Sequence, residues 1–270
     1  MRILQLTQKV KNKNYLDVTE VAGEEVSREQ IQRLCNRYFW AGMYCKSKKV
    51  LEVACGTGPG LGFLAKIAKE VVAGDYSHDL VEIAKLHYGE RIKIHQFDAQ
   101  RMPFYDCSID VVILFEAIYY LQSASAFISE CRRVLRPGGK VLLATANKDL
   151  FDFNPSPHSY NYYGVVEMRD LFRGHGFSTE FFGDTPISTV SIMQKLIRPA
   201  KKIAVTLGVV PKTMSGKKFL KRLVFGKMIP MPAEIDLGKM PPIDPVIIPS
   251  DKPDRNHKVI YCVAALVSNG

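Results

Sequence analysis

A glycine loop and three carboxylates stand at equivalent places along the chain. The loop, "CGTGPG" at residues 55–60, sets Gly56, Gly58 and Gly60 in a GxGxG pattern, and Asp75, Asp98 and Glu116 each close a short apolar run. Glycines at this spacing let main-chain N–H groups approach a ligand closely. A dinucleotide fingerprint would need glycine at position 61, which is Leu61, and no Gly-Lys-Ser/Thr closure of a phosphate loop follows. A carboxylate can accept from both hydroxyls of a ribose, which suits Asp75, while Asp98 is placed to accept from an adenine amino group. With no basic residue among the glycines, the set points to a nucleoside without phosphates.

Alternating strands and helices supply the frame. "KVLEVAC" (49–55), "VVAGDY" (71–76), "RIKIHQFD" (91–98), "SIDVVILFE" (108–116) and "KVLLATA" (140–146) read as buried strands. Between them, "LGFLAKIAKE" (61–70), "SHDLVEIAKLHYG" (77–89) and "SASAFISECRRVL" (123–135) have helical spacing. Ser77 is a candidate N-cap, Gly89 a candidate C-cap, and "RPGG" closes the last helix. "SREQ" (27–30) is a capping box that opens a leading helix through residue 45. The alternation predicts an open α/β sheet with right-handed crossovers, whose ligands sit at the carboxyl ends of the strands. The glycines, Asp75, Asp98 and Glu116 all fall at those ends.

Five segments in order carry a family resemblance: "VLEVACGTGPG", "VVAGDYS", "FDAQRMPF", "SIDVVILFEAIYYL" and "RRVLRPGGKVLLATAN". They resemble class I S-adenosylmethionine-dependent methyltransferases of the ubiquinone/menaquinone-type small-molecule subgroup. The resemblance spans residues 49–147, and "VIYCVAAL" (259–266) is similar to the family's closing antiparallel strand. It implies a Rossmann-like, seven-stranded sheet with helices on both faces, S-adenosylmethionine as cofactor and S-adenosylhomocysteine as product. It also implies site residues. Gly56, Gly58 and Gly60 let the backbone approach the methionine part and sugar, Ala54 belongs to the same cofactor-binding stretch, and Glu52 supports the loop or the amino group of the methionine. Asp75 takes the ribose, Tyr76 lies against the adenine, Asp98 and Ala99 meet its edge, and Phe115 and Glu116 lie beneath the methyl group. Pro59 departs from the pattern by removing one N–H from the loop. Plainer roles compete. The glycines also suit a tight turn, Asp75 a helix cap, Asp98 a solvated turn, and Tyr38, Phe39 and Trp40 a core.

A sulfonium methyl is already electrophilic, so alignment of the reactants supplies much of the rate. A base helps where the acceptor is a hydroxyl. Glu116 is the best-placed carboxylate, and Tyr119 and Tyr120 share its rim. The loop "FNPSPHSYNYYG" (153–164) adds Tyr160 and Tyr162 to a substrate pocket, and His158 as a second candidate base, with a structural hydrogen bond as its alternative. His175, between glycines, reads as structural, and Tyr15, Tyr38 and Trp40 are candidates for a lid.

The chain has 270 residues, 47% hydrophobic and 24% charged, as in an ordinary globular protein, with no apolar run of membrane-spanning length and no signal-peptide pattern at its start. Six cysteines show no zinc-ligand spacing, so no metal is expected, and reduced thiols in a cytoplasmic protein are. The net charge of +10 is local: residues 185–233 hold no acid and ten Lys or Arg side chains. The domain reading is an N-terminal lid or helical segment (1–48), the cofactor-binding core (49–184), a basic, proline-rich insertion with helical parts (185–257) and the closing strand (258–270).

Four uses of the basic stretch 195–227 compete: peripheral contact with an anionic membrane at its inner face, attraction of an anionic or lipid-linked substrate, nucleic-acid binding, or a solvated cover. The insertion and the 153–164 loop resemble uncharacterised methyltransferases of surface-polysaccharide clusters. That resemblance favours a hydroxyl of a sugar, glycan precursor, lipid-linked or secondary metabolite. An RNA methyltransferase using 195–227 is the alternative, although no RNA-binding module and no Asn-Pro-Pro-Tyr-type motif is present, so nucleic acid is not the expected partner. A cyclase that keeps the cofactor without transferring methyl is the third reading.

Overall fold

The structure, a computed structural model, describes residues 15–156, 158–187 and 228–267. After a 3-10 turn at Tyr15–Val18 and a short strand β1 (Glu25–Ser27), helix α1 (Arg28–Cys45) begins at the predicted capping box. Ser27 Oγ accepts from the Gln30 amide at 3.2 Å, and Gln30 Oε1 accepts from the Ser27 amide at 2.9 Å. The central strands then appear where the apolar runs place them: β2 (Lys49–Val53), β3 (Glu70–Asp75), β4 (Lys93–Gln96), β5 (Ile109–Phe115) and β6 (Leu135–Ala146). All five run parallel, in the order β4-β3-β2-β5-β6. β2 and β5 are largely apolar because helices cover both faces, and Glu52 is the buried charged residue of β2. β4, at the edge, alternates.

β10 (His257–Leu266) lies antiparallel between β6 and β7 (Phe177–Pro186), the arrangement that the closing strand implies. Among the described residues the sheet nevertheless has eight strands rather than seven. The extra one, β9 (Val246–Ile248), comes from the insertion and pairs antiparallel with the outer side of β7. Its three residues lie in a proline-rich stretch, which reads as extended coil. Only the open backbone edge of β7 turns it into a strand.

Helices α2 (Leu61–Ala65), α3 (His78–Tyr88), α4 (Ala124–Val134) and α5 (Val165–Arg173) complete the layers. Neighbouring strand residues point to opposite faces, so the core divides in two. Val50, Val111 and Tyr261 pack with α1 and α3, while Leu51, Val112 and Ile260 pack with α4 and α5. Helix α2 is half the predicted length. β3 must start at Glu70 beside Lys49, so the chain leaves the helix early and the Lys69 amide donates to the Lys48 carbonyl at 2.9 Å.

The returning part of the insertion packs against this core. β8 (Met228–Pro230) pairs with β1, and Met231, Ile235 and Met240 are buried in the cluster around α1. The basic stretch 195–227 and the helices expected there lie outside the described residues. Among the described residues, no helix is long and apolar enough to cross a membrane.

Candidate functional site

A cavity of about 540 Å³ opens over the carboxyl ends of the parallel strands. Glu52, Ala54 and Gly56 enter it from β2 and its loop, Asp75 and Tyr76 from the end of β3, and Asp98 and Ala99 from the turn after β4. Phe115, Glu116, Tyr119, Tyr120 and Tyr160 form the other side. Twelve of the residues singled out in the sequence thus line one cavity.

The loop turns through left-handed backbone at Ala54 (φ 52°), Gly56 (φ 58°) and Gly58 (φ 74°). Asp75 holds it there: its Oδ2 accepts from the Gly56 amide and its Oδ1 from the Ser77 amide, both at 2.9 Å. Burial raises the Asp75 pKa, and these N–H contacts counter the rise. Each oxygen keeps a second lone pair for a ligand. The helix cap itself is Ser77, whose Oγ accepts from the Leu80 amide, so Asp75 is not the cap. Asp98 makes the turn its plainer role expected, Oδ1 accepting from the Gln100 amide at 2.8 Å, and lines the cavity as well.

Gly58 and Gly60 lie behind the cavity wall, where Thr57 and Pro59 take their place in the lining. The Gly58 carbonyl accepts from Tyr88 Oη at 2.6 Å, and a Cβ on Gly60 would sit 2.1 Å from the Tyr38 ring. These two glycines serve the turn and the close approach of α1. Tyr162 also stands behind the wall, stacked on Tyr119 with ring centroids 4.3 Å apart. His158 is exposed, in left-handed backbone (φ 69°), and does not line the cavity.

At one end of the cavity the motif acid Glu52 meets an arginine that no motif revealed. Tyr38 Oη donates to Glu52 Oε1 at 2.5 Å, while Glu52 Oε2 is buried without a partner among the described residues. Arg37, from the same turn of α1, lines the cavity with its Nε likewise buried and unpartnered. Burial lifts the Glu52 carboxyl to about 7, against the pull of the Tyr38 hydrogen bond and the Arg37 charge. One orphan acceptor beside one orphan donor fits the ammonium and carboxylate at the methionine end of S-adenosylmethionine. Asp75 and Asp98 fit its nucleoside.

A pH dependence follows. In the free protein the raised Glu52 pKa favours the protonated form, so this group's stability contribution is full below about pH 4.5 and lost as pH rises toward 7. The ligand's ammonium favours the ionised form. Affinity for S-adenosylhomocysteine should therefore rise by up to about tenfold per unit up to pH 7 and flatten above it. Calorimetry from pH 5.5 to 8 checks this, and Glu52→Gln should remove the slope.

Next to Arg37, Glu116 is held in left-handed backbone (φ 52°), its amide donating to the Ala144 carbonyl at 2.8 Å. Tyr119 Oη donates to Glu116 Oε2 at 3.1 Å, and Arg37 Nη1 lies 3.6 Å from Glu116 Oε1. Tyr120 shares a hydrogen bond with Ser156 Oγ at 2.5 Å, and the Tyr160 amide donates to the Tyr119 carbonyl at 2.7 Å. Tyr15 bridges the two halves, edge-on to Tyr76 and to Tyr120. Trp40 is fully buried core rather than lid.

A parallel sheet with a glycine loop after β2, acids after the next two strands and an antiparallel closing strand defines a nucleoside-binding α/β domain. Residues 51–143 match the family model described as a methyltransferase domain. They form a class I S-adenosylmethionine-dependent methyltransferase domain, with S-adenosylmethionine as its cofactor. A probable S-adenosylmethionine-dependent methyltransferase of Mycolicibacterium smegmatis is 34% identical over 153 residues, 55% of this chain and 56% of that protein. An O-methyltransferase of Penicillium expansum is 28% identical over 222 residues, 76% of this chain and 73% of its own. The chain thus spans about half the length of the mycobacterial relative. The solved YcgJ protein of Bacillus subtilis shares the fold at a TM-score of 0.57 and 16% identity, over 90% of this chain and all of that one.

Proposed function

We propose that the protein transfers a methyl group from S-adenosylmethionine to a hydroxyl of a small acceptor, of the sugar, glycan-precursor, lipid-linked or secondary-metabolite class. The observation that carries this reading is Glu116, a carboxylate fixed on strained backbone where the cofactor half of the cavity meets the tyrosine-lined half. The name of the Penicillium relative, an O-methyltransferase, supports oxygen as the acceptor atom.

When bound, the cofactor supplies a methyl group on a positively charged sulfur; its transfer to oxygen breaks the methyl–sulfur bond and leaves neutral S-adenosylhomocysteine. The chain's residues do the rest. Glu52 and Arg37 hold the amino-acid end, and Asp75 and Asp98 hold the nucleoside. Glu116 accepts the proton that the acceptor hydroxyl gives up, while Tyr119 and Arg37 keep its carboxylate oriented. Tyr120 and Tyr160 offer flat faces to a sugar or ring, and Tyr15 narrows the opening to water.

The ten cations of residues 185–233 suit contact with an anionic membrane face, where a lipid-linked acceptor would be presented. Incubation with methyl-labelled cofactor, hydroxylated sugars, lipid-linked glycans and bulk RNA tests the proposal. Label should appear as a methyl ether on a small acceptor. Label in RNA, or tight cofactor binding with no transfer to any acceptor, would replace the reading.

A further inference from the structure

Among the described residues, three that line the cavity each carry a polar atom buried without a hydrogen-bond partner: Glu52 Oε2, Arg37 Nε and Arg33 Nε. The first two match the charged groups of the cofactor's amino acid, which carries only one carboxylate. Arg33 is left over. It stands one turn before Arg37 on the same face of α1, since residues four apart are neighbours on a helix. Glu29 Oε1 lies 3.9 Å from Nε, within ion-pair reach but beyond hydrogen-bond distance, and the Arg33 side chain is 32% exposed. The same Glu29 oxygen is held more closely by Lys258, whose Nζ donates to it at 2.6 Å. Glu20, which also lines the cavity, accepts from Gln30 Nε2.

A guanidinium is a planar fork of donors matched to the two oxygens of a carboxylate or phosphate. Leaving its buried N–H unpaired is unfavourable; a hydroxyl oxygen would meet one donor of the fork, whereas an oxyanion meets two at once and matches the charge. We propose that Arg33 is a specificity-determining residue that pairs with an oxyanion, a carboxylate or a phosphate, on the acceptor. The inference rests on the methyl-transfer reading above, because it assigns Arg37 and Glu52 to the cofactor. It is independent of the basic stretch at 195–227.

The test uses the full chain, 15N-labelled and saturated with S-adenosylhomocysteine, and follows the Arg33 Nε–H resonance by NMR. Arg33→Lys keeps the charge, lacks Nε, and so assigns the signal; its affinity for S-adenosylhomocysteine should match the parent's. Inorganic phosphate, acetate and chloride are titrated at equal ionic strength. Phosphate or acetate should produce a saturable shift with an apparent affinity at least about tenfold above that of chloride. The more effective of the two names the acidic group of the acceptor. Equal responses to all three anions, or no response, overturn the inference while leaving methyl transfer standing. Failure to bind S-adenosylhomocysteine at all removes both.

Discussion

Asp75→Ala should weaken S-adenosylhomocysteine binding by roughly 30- to 1,000-fold, about 2–4 kcal/mol. Two losses combine. The ribose hydroxyls lose their acceptor, and the Gly56 amide, which donates to Asp75 Oδ2, is left unpaired at the turn of the loop. The second loss is present without ligand, so thermal stability should fall as well. Asp75→Asn separates the two. It retains one acceptor oxygen, yet sets an NH2 group against either the Gly56 or the Ser77 amide, both donors. Its affinity should lie between those of the parent and the alanine variant. Calorimetry on all three proteins decides the matter: an alanine variant that binds as tightly as the parent removes Asp75 from the site.

Asp75 was legible because its signal is local. An acid closing an apolar run must emerge at a strand end, and the ends of parallel strands converge. The same logic placed Asp98 and Glu116, and the Ser27–Gln30 capping box fixed where α1 begins. Arg33 and Arg37 gave no such sign. On an amphipathic helix their spacing reads as a solvated face, and only the docking of α1 over the loop turns them inward. The Tyr38–Glu52 hydrogen bond is equally non-local, since its partners belong to different elements. It can form because Gly60 has no side chain to keep the Tyr38 ring away. Met231 enters the cavity from the far side of the insertion, where no periodicity announces it. The eighth strand was hidden for a related reason. Three apolar residues among prolines become a strand only when an unpaired edge is offered to them.

Glu116→Gln should reduce kcat by about 100- to 10,000-fold, the usual range for a lost general base, with affinity for S-adenosylhomocysteine kept within about threefold. The substitution is nearly isosteric. The glutamine carbonyl can still accept from Tyr119 Oη, and the left-handed backbone at 116 is unchanged, so the geometry of the site should survive. What the amide cannot do is take a proton. The weakened partner is Arg37, 3.6 Å from Glu116 Oε1, which would lose a charge it now faces. Arg37→Lys provides the control, because it disturbs that pair without removing the base. It should weaken cofactor binding more than it slows turnover, the opposite split to that of Glu116→Gln. Alignment of the reactants already accounts for much of the rate in a transfer of this kind. If kcat of Glu116→Gln stays within about tenfold of the parent, alignment alone suffices, the hydroxyl proton leaves to water, and Glu116 is a positioning residue whose work is to anchor Tyr119 and Arg37.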